Sequence, residues 1–126
     1  MGMLIAVATG GALGSLARYG LTIACEELLG RSFPYGIFIA NIVGSLAIGI
    51  CFVLLVERAL VSEVWRSLAM VGFLGGFTTF STFSLQSIGL IQEGRVVAAF
   101  VYIVGSVLIS IIAAWFGIQI ARLLSS

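Results

Sequence analysis

The chain has 126 residues, of which 61% are hydrophobic and only 9% charged, with a net charge of +1 and a mean hydropathy of +1.26. A soluble domain carries about 25% charged residues, so this inventory cannot clothe a water-facing surface and describes one domain lying almost wholly inside a bilayer. His, Asp and Lys are absent, which removes the commonest general base and nitrogen metal ligand and argues against enzyme chemistry, and the small net charge makes no electrostatic case for nucleic acid.

A membrane-spanning helix needs about 20 predominantly apolar residues, and the charged residues cut the chain into four such segments, an all-α arrangement. Met1-Gly2-Met3 leads straight into apolar sequence without the basic region and cleavage site of a secretory signal. The first span is expected over about 3–25, ending at Glu26-Glu27. The second is expected over about 34–56, with Pro34 as a favourable first helical residue because its missing N–H would be unpaired there anyway. A loop carrying Glu57, Arg58, Glu63, Trp65 and Arg66 follows, its Trp suited to the membrane interface. The third span is expected over about 67–91, Glu93-Gly94-Arg95 turn the chain, and the fourth runs over about 96–121 to stop at Arg122.

Four spans place both termini on one side, but the arginines barely orient the chain: Arg58, Arg66 and Arg122 gather at one face, Arg31 and Arg95 at the other. Either weak cues orient it, or it inserts both ways and pairs antiparallel; four short helices favour dimerisation under both. Gly10 and Gly14, Gly72 and Gly76, and the stripe Gly36, Ala40, Gly44 permit close helix contact. Cys25 and Cys51 have no framework spacing and read as small buried hydrophobes.

The third span holds GGFTTFSTFS at 75–84, where Thr78, Thr79, Ser81, Thr82 and Ser84 follow Gly75-Gly76. Hydroxyls can bond back to the preceding turn and leave a helix continuous; so many together also make a local break plausible, and broken membrane helices expose backbone groups to ions. Phe80 and Phe83, three apart, would share a helix face, either as core or with their positive ring edges toward an anion path. Asn41, mid-way along the second span, would face a partner helix or a polar path, its NH₂ suiting an anion. In the fourth span Tyr102, Ser106 and Ser110 form one polar stripe, and Arg18 in the first would snorkel or lend positive potential to a vestibule. No carboxylate lies mid-span, so these groups describe a neutral polar conduit that favours an anion over a cation.

The run at 75–84, Asn41 and the GGALGSLARY opening at 10–19 resemble the Fluc-type fluoride channel family, also called CrcB, over essentially the whole chain. The resemblance implies a dual-topology antiparallel homodimer in the cell membrane, the inner membrane where there are two, that lets cytoplasmic fluoride leave passively and carries a structural sodium ion (Na+) at the dimer interface. It implies a fluoride pathway lined by Asn41, Phe80, Phe83, Ser81, Thr82, Tyr102, Ser106 and Ser110, with backbone carbonyls of Gly75 and Thr78 holding the sodium. Two positions depart from the family pattern: Gln86 stands where a Glu is frequent, and Ile37 where a Thr often follows the glycine.

Two other readings compete. A small four-span multidrug-type cation exporter would need a membrane-embedded carboxylate, whereas all five Glu residues fall near span ends. A structural or assembly subunit would turn the hydroxyl-rich run toward a partner chain and transport nothing.

Overall fold

The computed structural model describes residues 1–126 and is all-helical. Helix α1 spans Gly2–Leu29 and α2 spans Tyr35–Glu57. The third membrane-length segment, Glu63–Gln92, is interrupted and forms α3 (residues 63–77) and α4 (Ser81–Gln92). Helix α5 spans Val96–Ser125. The four membrane-length segments are each apolar enough to cross a bilayer.

The helices outrun the expected spans because their first and last turns carry charge into the interfacial zone: Glu26 and Glu27 lie inside α1, and α5 passes Arg122 to reach Ser125. Pro34 immediately precedes α2 instead of opening it, with φ −79° and ψ 67°. Residues 52–57 and 67–74 widen into π turns on either side of the 58–62 loop, where the Arg58 N–H bonds the Val53 carbonyl five residues back at 2.8 Å.

Only 21 of 126 residues are buried, and leucines, isoleucines, valines and phenylalanines populate the outside, the distribution expected where lipid is the solvent. With no hydrophobic force pulling helices together in lipid, close contact depends on small residues. Two seams provide it. Gly10 and Gly14 of α1 meet Gly72 and Gly76 of α3: a Cβ on Gly72 would lie 2.9 Å from Gly10 Cα, and one on Gly76 would lie 2.6 Å from the Gly11 carbonyl oxygen. Gly49 of α2 and Gly117 of α5 likewise leave no room for a side chain against the backbone at Ala114 and Leu46. The stripe Gly36, Ala40, Gly44 is buried, with Gly36 against Thr22 of α1 and Gly44 against the Thr78 methyl. These contacts run α1 parallel to α3, and α2 parallel to α5, with the two pairs antiparallel.

The compact apolar core is small: Ile37, Phe83, Leu90, Ala99 and Tyr102, flanked by Phe33 and Phe38. Its rings pack edge to face, Phe33 against Tyr102 at 5.4 Å and 89° and against Phe38 at 5.6 Å and 77°, geometries favoured by the ring quadrupole.

Candidate functional site: a polar cleft beside a broken helix

The interruption between α3 and α4 arises where Thr78 leaves helical geometry, with φ −89° and ψ 157°. Helix α3 closes locally, the Thr78 N–H and hydroxyl both donating to the Leu74 carbonyl at 3.0 and 2.9 Å. The next turn is not completed. The Thr79 N–H donates to Asn41 Oδ1 at 2.9 Å, and Asn41 Nδ2 donates to the Thr79 carbonyl at 3.0 Å. One carboxamide thus replaces the donor and the acceptor that the missing helical turn would have supplied. An unsatisfied backbone group in lipid costs several kcal/mol, so this reciprocal pair decides between the continuous and the broken helix.

A second long-range bond closes α3. Arg18 Nε donates to the Gly76 carbonyl at 3.0 Å, placing a cation at the negative end of a helix. The glycine seam makes that reach possible, because it brings α1 directly against α3. On the far side of the break, the Thr79 hydroxyl accepts from the Thr82 N–H at 3.4 Å and lies 3.4 Å from the hydroxyls of Ser81 and Thr82, in the manner of a helix N-cap. Since the Thr79 and Thr82 N–H groups are engaged elsewhere, the Gly75 and Thr78 carbonyls do not receive their helical partners.

A cleft of about 580 Å³ opens beside the break, lined from α2 by Asn41, Gly44 and Ser45, from α3 by Met70, Leu74 and Gly75, then by Thr78, Thr79, Phe80 and Phe83, and from α5 by Ser106 and Ser110 among others. No lining residue is ionisable. The Ser106 and Ser110 hydroxyls are buried and find no hydrogen-bond partner. Each such buried, unmatched hydroxyl costs about 1–3 kcal/mol, a cost that a ligand able to accept hydrogen bonds would remove.

Most of the residues expected from sequence converge here, in distinct places. Asn41, Gly75, Thr78, Phe80, Phe83, Ser106 and Ser110 line the cleft. Phe80 and Phe83 do sit together, with ring centroids 5.5 Å apart. Phe80 is 76% exposed at the rim, whereas Phe83 is 8% exposed within the core. Tyr102 is fully buried behind the cleft wall, 5.2 Å from the Phe83 ring, and its hydroxyl donates to Gln86 Oε1 at 2.7 Å. Ser81 and Thr82 do not line the cleft and instead gather around the Thr79 hydroxyl. Arg18 stands behind the break on Gly76.

Ser45 and the ring cluster of Phe33 and Phe38 escaped the sequence reading. Ser45 lies four residues after Asn41 on one helix, so its position on the same face was available from spacing alone. Phe33 and Phe38 flank Pro34 in an apolar stretch and carry no signal that separates them from lipid-facing residues.

A second cleft of about 300 Å³ lies near the turn after α4, lined by the core residues Ile37 and Leu90 together with Gln86, Arg31, Arg95 and Glu93. Arg95 is fixed by a bond from Nη1 to the Ser32 carbonyl, and Arg31 pairs with Glu26 at 3.3 Å. The two departures from the family pattern, Ile37 and Gln86, therefore share this cleft.

Comparison with known proteins places this architecture. The family model described as "CrcB-like protein, Camphor Resistance (CrcB)" matches residues 5–118. A Magnetococcus marinus protein named "Fluoride-specific ion channel FluC" is 44% identical over 118 residues, 94% of this chain and 96% of its own length. A Nitrobacter hamburgensis protein named "Fluoride-specific ion channel FluC 1" is 48% identical over 121 residues, 96% of each chain. A Vibrio vulnificus protein named "Fluoride-specific ion channel FluC" is 41% identical over 116 residues, 92% of each. With a broken third segment, an uncharged cleft and relatives matched along nearly their whole length, the chain belongs to the CrcB family.

Proposed function

We propose that the chain is a fluoride-selective channel that carries the anion passively out of the cell. The observation that carries the reading is the pair of buried, unpartnered hydroxyls of Ser106 and Ser110 in a cleft without any ionisable group. Fluoride is small and strongly hydrated; a pore for it must replace water with donors and still release the ion. Serine hydroxyls, the Asn41 N–H that Thr79 leaves free and the positive edges of Phe80 and Phe83 supply such contacts without a fixed charge. The names of the relatives agree with this assignment. In the structure Tyr102 buttresses Phe83, and Thr82 and Ser81 hold the start of α4, so their part in the pathway is to shape it.

Purified chain in liposomes is expected to release fluoride rapidly to an external electrode and chloride hardly at all; equal rates would remove the selectivity claim. Because nothing in the cleft titrates, the fluoride rate is expected to stay flat on either side of neutral pH, where fluoride itself remains ionised. A multidrug-type exporter would instead show a carboxylate-dependent rate. That reading gains nothing here, since every Glu lies at a helix end or in a turn.

The reading extends to an antiparallel, dual-topology homodimer in the cell membrane, the inner membrane where there are two. The exposed rim position of Phe80 and the near balance of arginines at the two ends support it. Tagged termini are expected on both sides of the membrane in comparable amounts, and detection on one side only would remove it. A structural sodium ion fits the residues present: the Gly75 and Thr78 carbonyls lack their helical donors, and oxygen-only ligands suit a hard cation. Two chains related by a two-fold axis would present both pairs to one site. The ion would lower the cost of an anion entering the bilayer; the chain's own residues do the binding and release of fluoride.

A further inference from the structure

The cleft at the turn after α4 backs onto the cleft at the break. Phe83 lines the one and Gln86 the other, three residues apart and on one face of α4. Tyr102 stands between them, its ring 5.2 Å from the Phe83 ring and its hydroxyl donating to Gln86 Oε1 at 2.7 Å. That bond holds the carboxamide oxygen toward Tyr102. The two Nε2 N–H groups have no partner in the chain and are left at the wall of the second cleft.

The groups around this amide offer an anion little else. The Thr22 hydroxyl, on the α1 wall, is spent on the Arg18 carbonyl at 2.9 Å. On the α2 wall stands Ile37, 2% exposed and clustered with Phe83 and Leu90, with nothing to donate. Along α4 from the break outward come Phe83, Gln86 and Leu90, followed by Glu93 and Arg95 at the rim. Arg31 is neutralised by Glu26 at 3.3 Å. Arg95 bonds the Ser32 carbonyl and pairs with no carboxylate, while Glu93 is exposed.

We infer that the second cleft is an outer station for fluoride, in which the Gln86 N–H groups receive the ion between the core rings and the Arg95 rim. The assignment rests on the channel reading given above. It also couples the two departures from the family pattern. With Ile37 where a Thr is frequent, α2 supplies no hydroxyl to this cleft, and a Glu at position 86 would then leave acceptors and a negative charge where the anion must stand. Gln86 supplies the missing donors from the opposite wall, so each departure makes good the other.

The test uses the full chain in liposomes with a fluoride electrode, each variant checked for the elution volume and melting temperature of wild type. Gln86→Glu keeps the shape and the acceptor for Tyr102 but loses both donors, and is expected to slow efflux by about tenfold, the scale of one hydrogen bond to a charged species. A side chain that only braced Tyr102 would leave this variant at the wild-type rate, and that result overturns the assignment. Gln86→Met removes the donors without adding charge and is also expected to be slow; it decides the matter should Gln86→Glu not elute as wild type, and wild-type efflux from it overturns the assignment equally. Adding Ile37→Thr to Gln86→Glu returns a hydroxyl to the α2 wall and is expected to recover most of the rate, whereas a double variant no faster than Gln86→Glu overturns the coupling. Wild-type protein that passes no fluoride overturns the channel reading itself, a failure visible before any substitution is made.

Discussion

Two regions a few ångströms apart treat their polar groups in opposite ways. At the break, two backbone positions are matched by side chains from other helices: Thr79 by Asn41 and Gly76 by Arg18. Along the α5 wall of the cleft, the buried hydroxyls of Ser106 and Ser110 are left unmatched. Satisfied polar groups in a bilayer hold a shape; unsatisfied ones hold a place for something else. The contrast separates residues that build the opening from residues that use it, and mutations should divide along the same line.

The largest effect is expected at Phe80, which touches the path without supporting the fold. Phe80→Ile keeps most of the volume but loses the ring edge, so fluoride efflux should vanish while the protein elutes unchanged; undiminished efflux would remove Phe80 from the pathway. Next is Asn41→Ala, which strips both bonds from Thr79. Thermal unfolding in detergent should register a loss of about 2 kcal/mol, together with loss of flux. A variant that conducts normally would show that the break does not need its clasp.

Ser106→Ala sharpens the comparison because its two readouts should move in opposite directions. Removing a buried unmatched hydroxyl should raise stability by up to about 1 kcal/mol, while efflux slows. A fall in both would place Ser106 with the structural groups. Gly72→Ala acts on the α1–α3 seam, where the added Cβ would meet Gly10 Cα at 2.9 Å; overpacking of this kind costs about 1–3 kcal/mol, and the melting temperature should drop. The smallest effect is expected for Arg122→Gln. Its bidentate pair with Glu57, at 3.1 and 2.7 Å, is largely exposed and screened by salt, so neither melting nor efflux should change measurably.

The four spans could be read from the chain because lipid tolerates few charges, and their ends shifted because interfacial turns tolerate several. The break was harder to read. A hydroxyl-rich run is compatible with either a straight or an interrupted helix, and what decides between them is Asn41, far away in sequence. Asn41 itself was visible as a carboxamide in an apolar span, but its partner was not. Spacing placed Phe80 and Phe83 on one face, yet their exposures differ because the helix begins between them, at Ser81, and leaves Phe80 outside it. Ser45 was overlooked although its spacing of four from Asn41 already placed it on the same helix face.

The Asn41–Thr79 clasp also imposes an order on assembly. Residues 63–92 carry no internal substitute for the two bonds that Asn41 provides, so before α2 arrives the segment satisfies its backbone best as one continuous helix. The break is therefore a property of the packed helices and not of residues 63–92 alone.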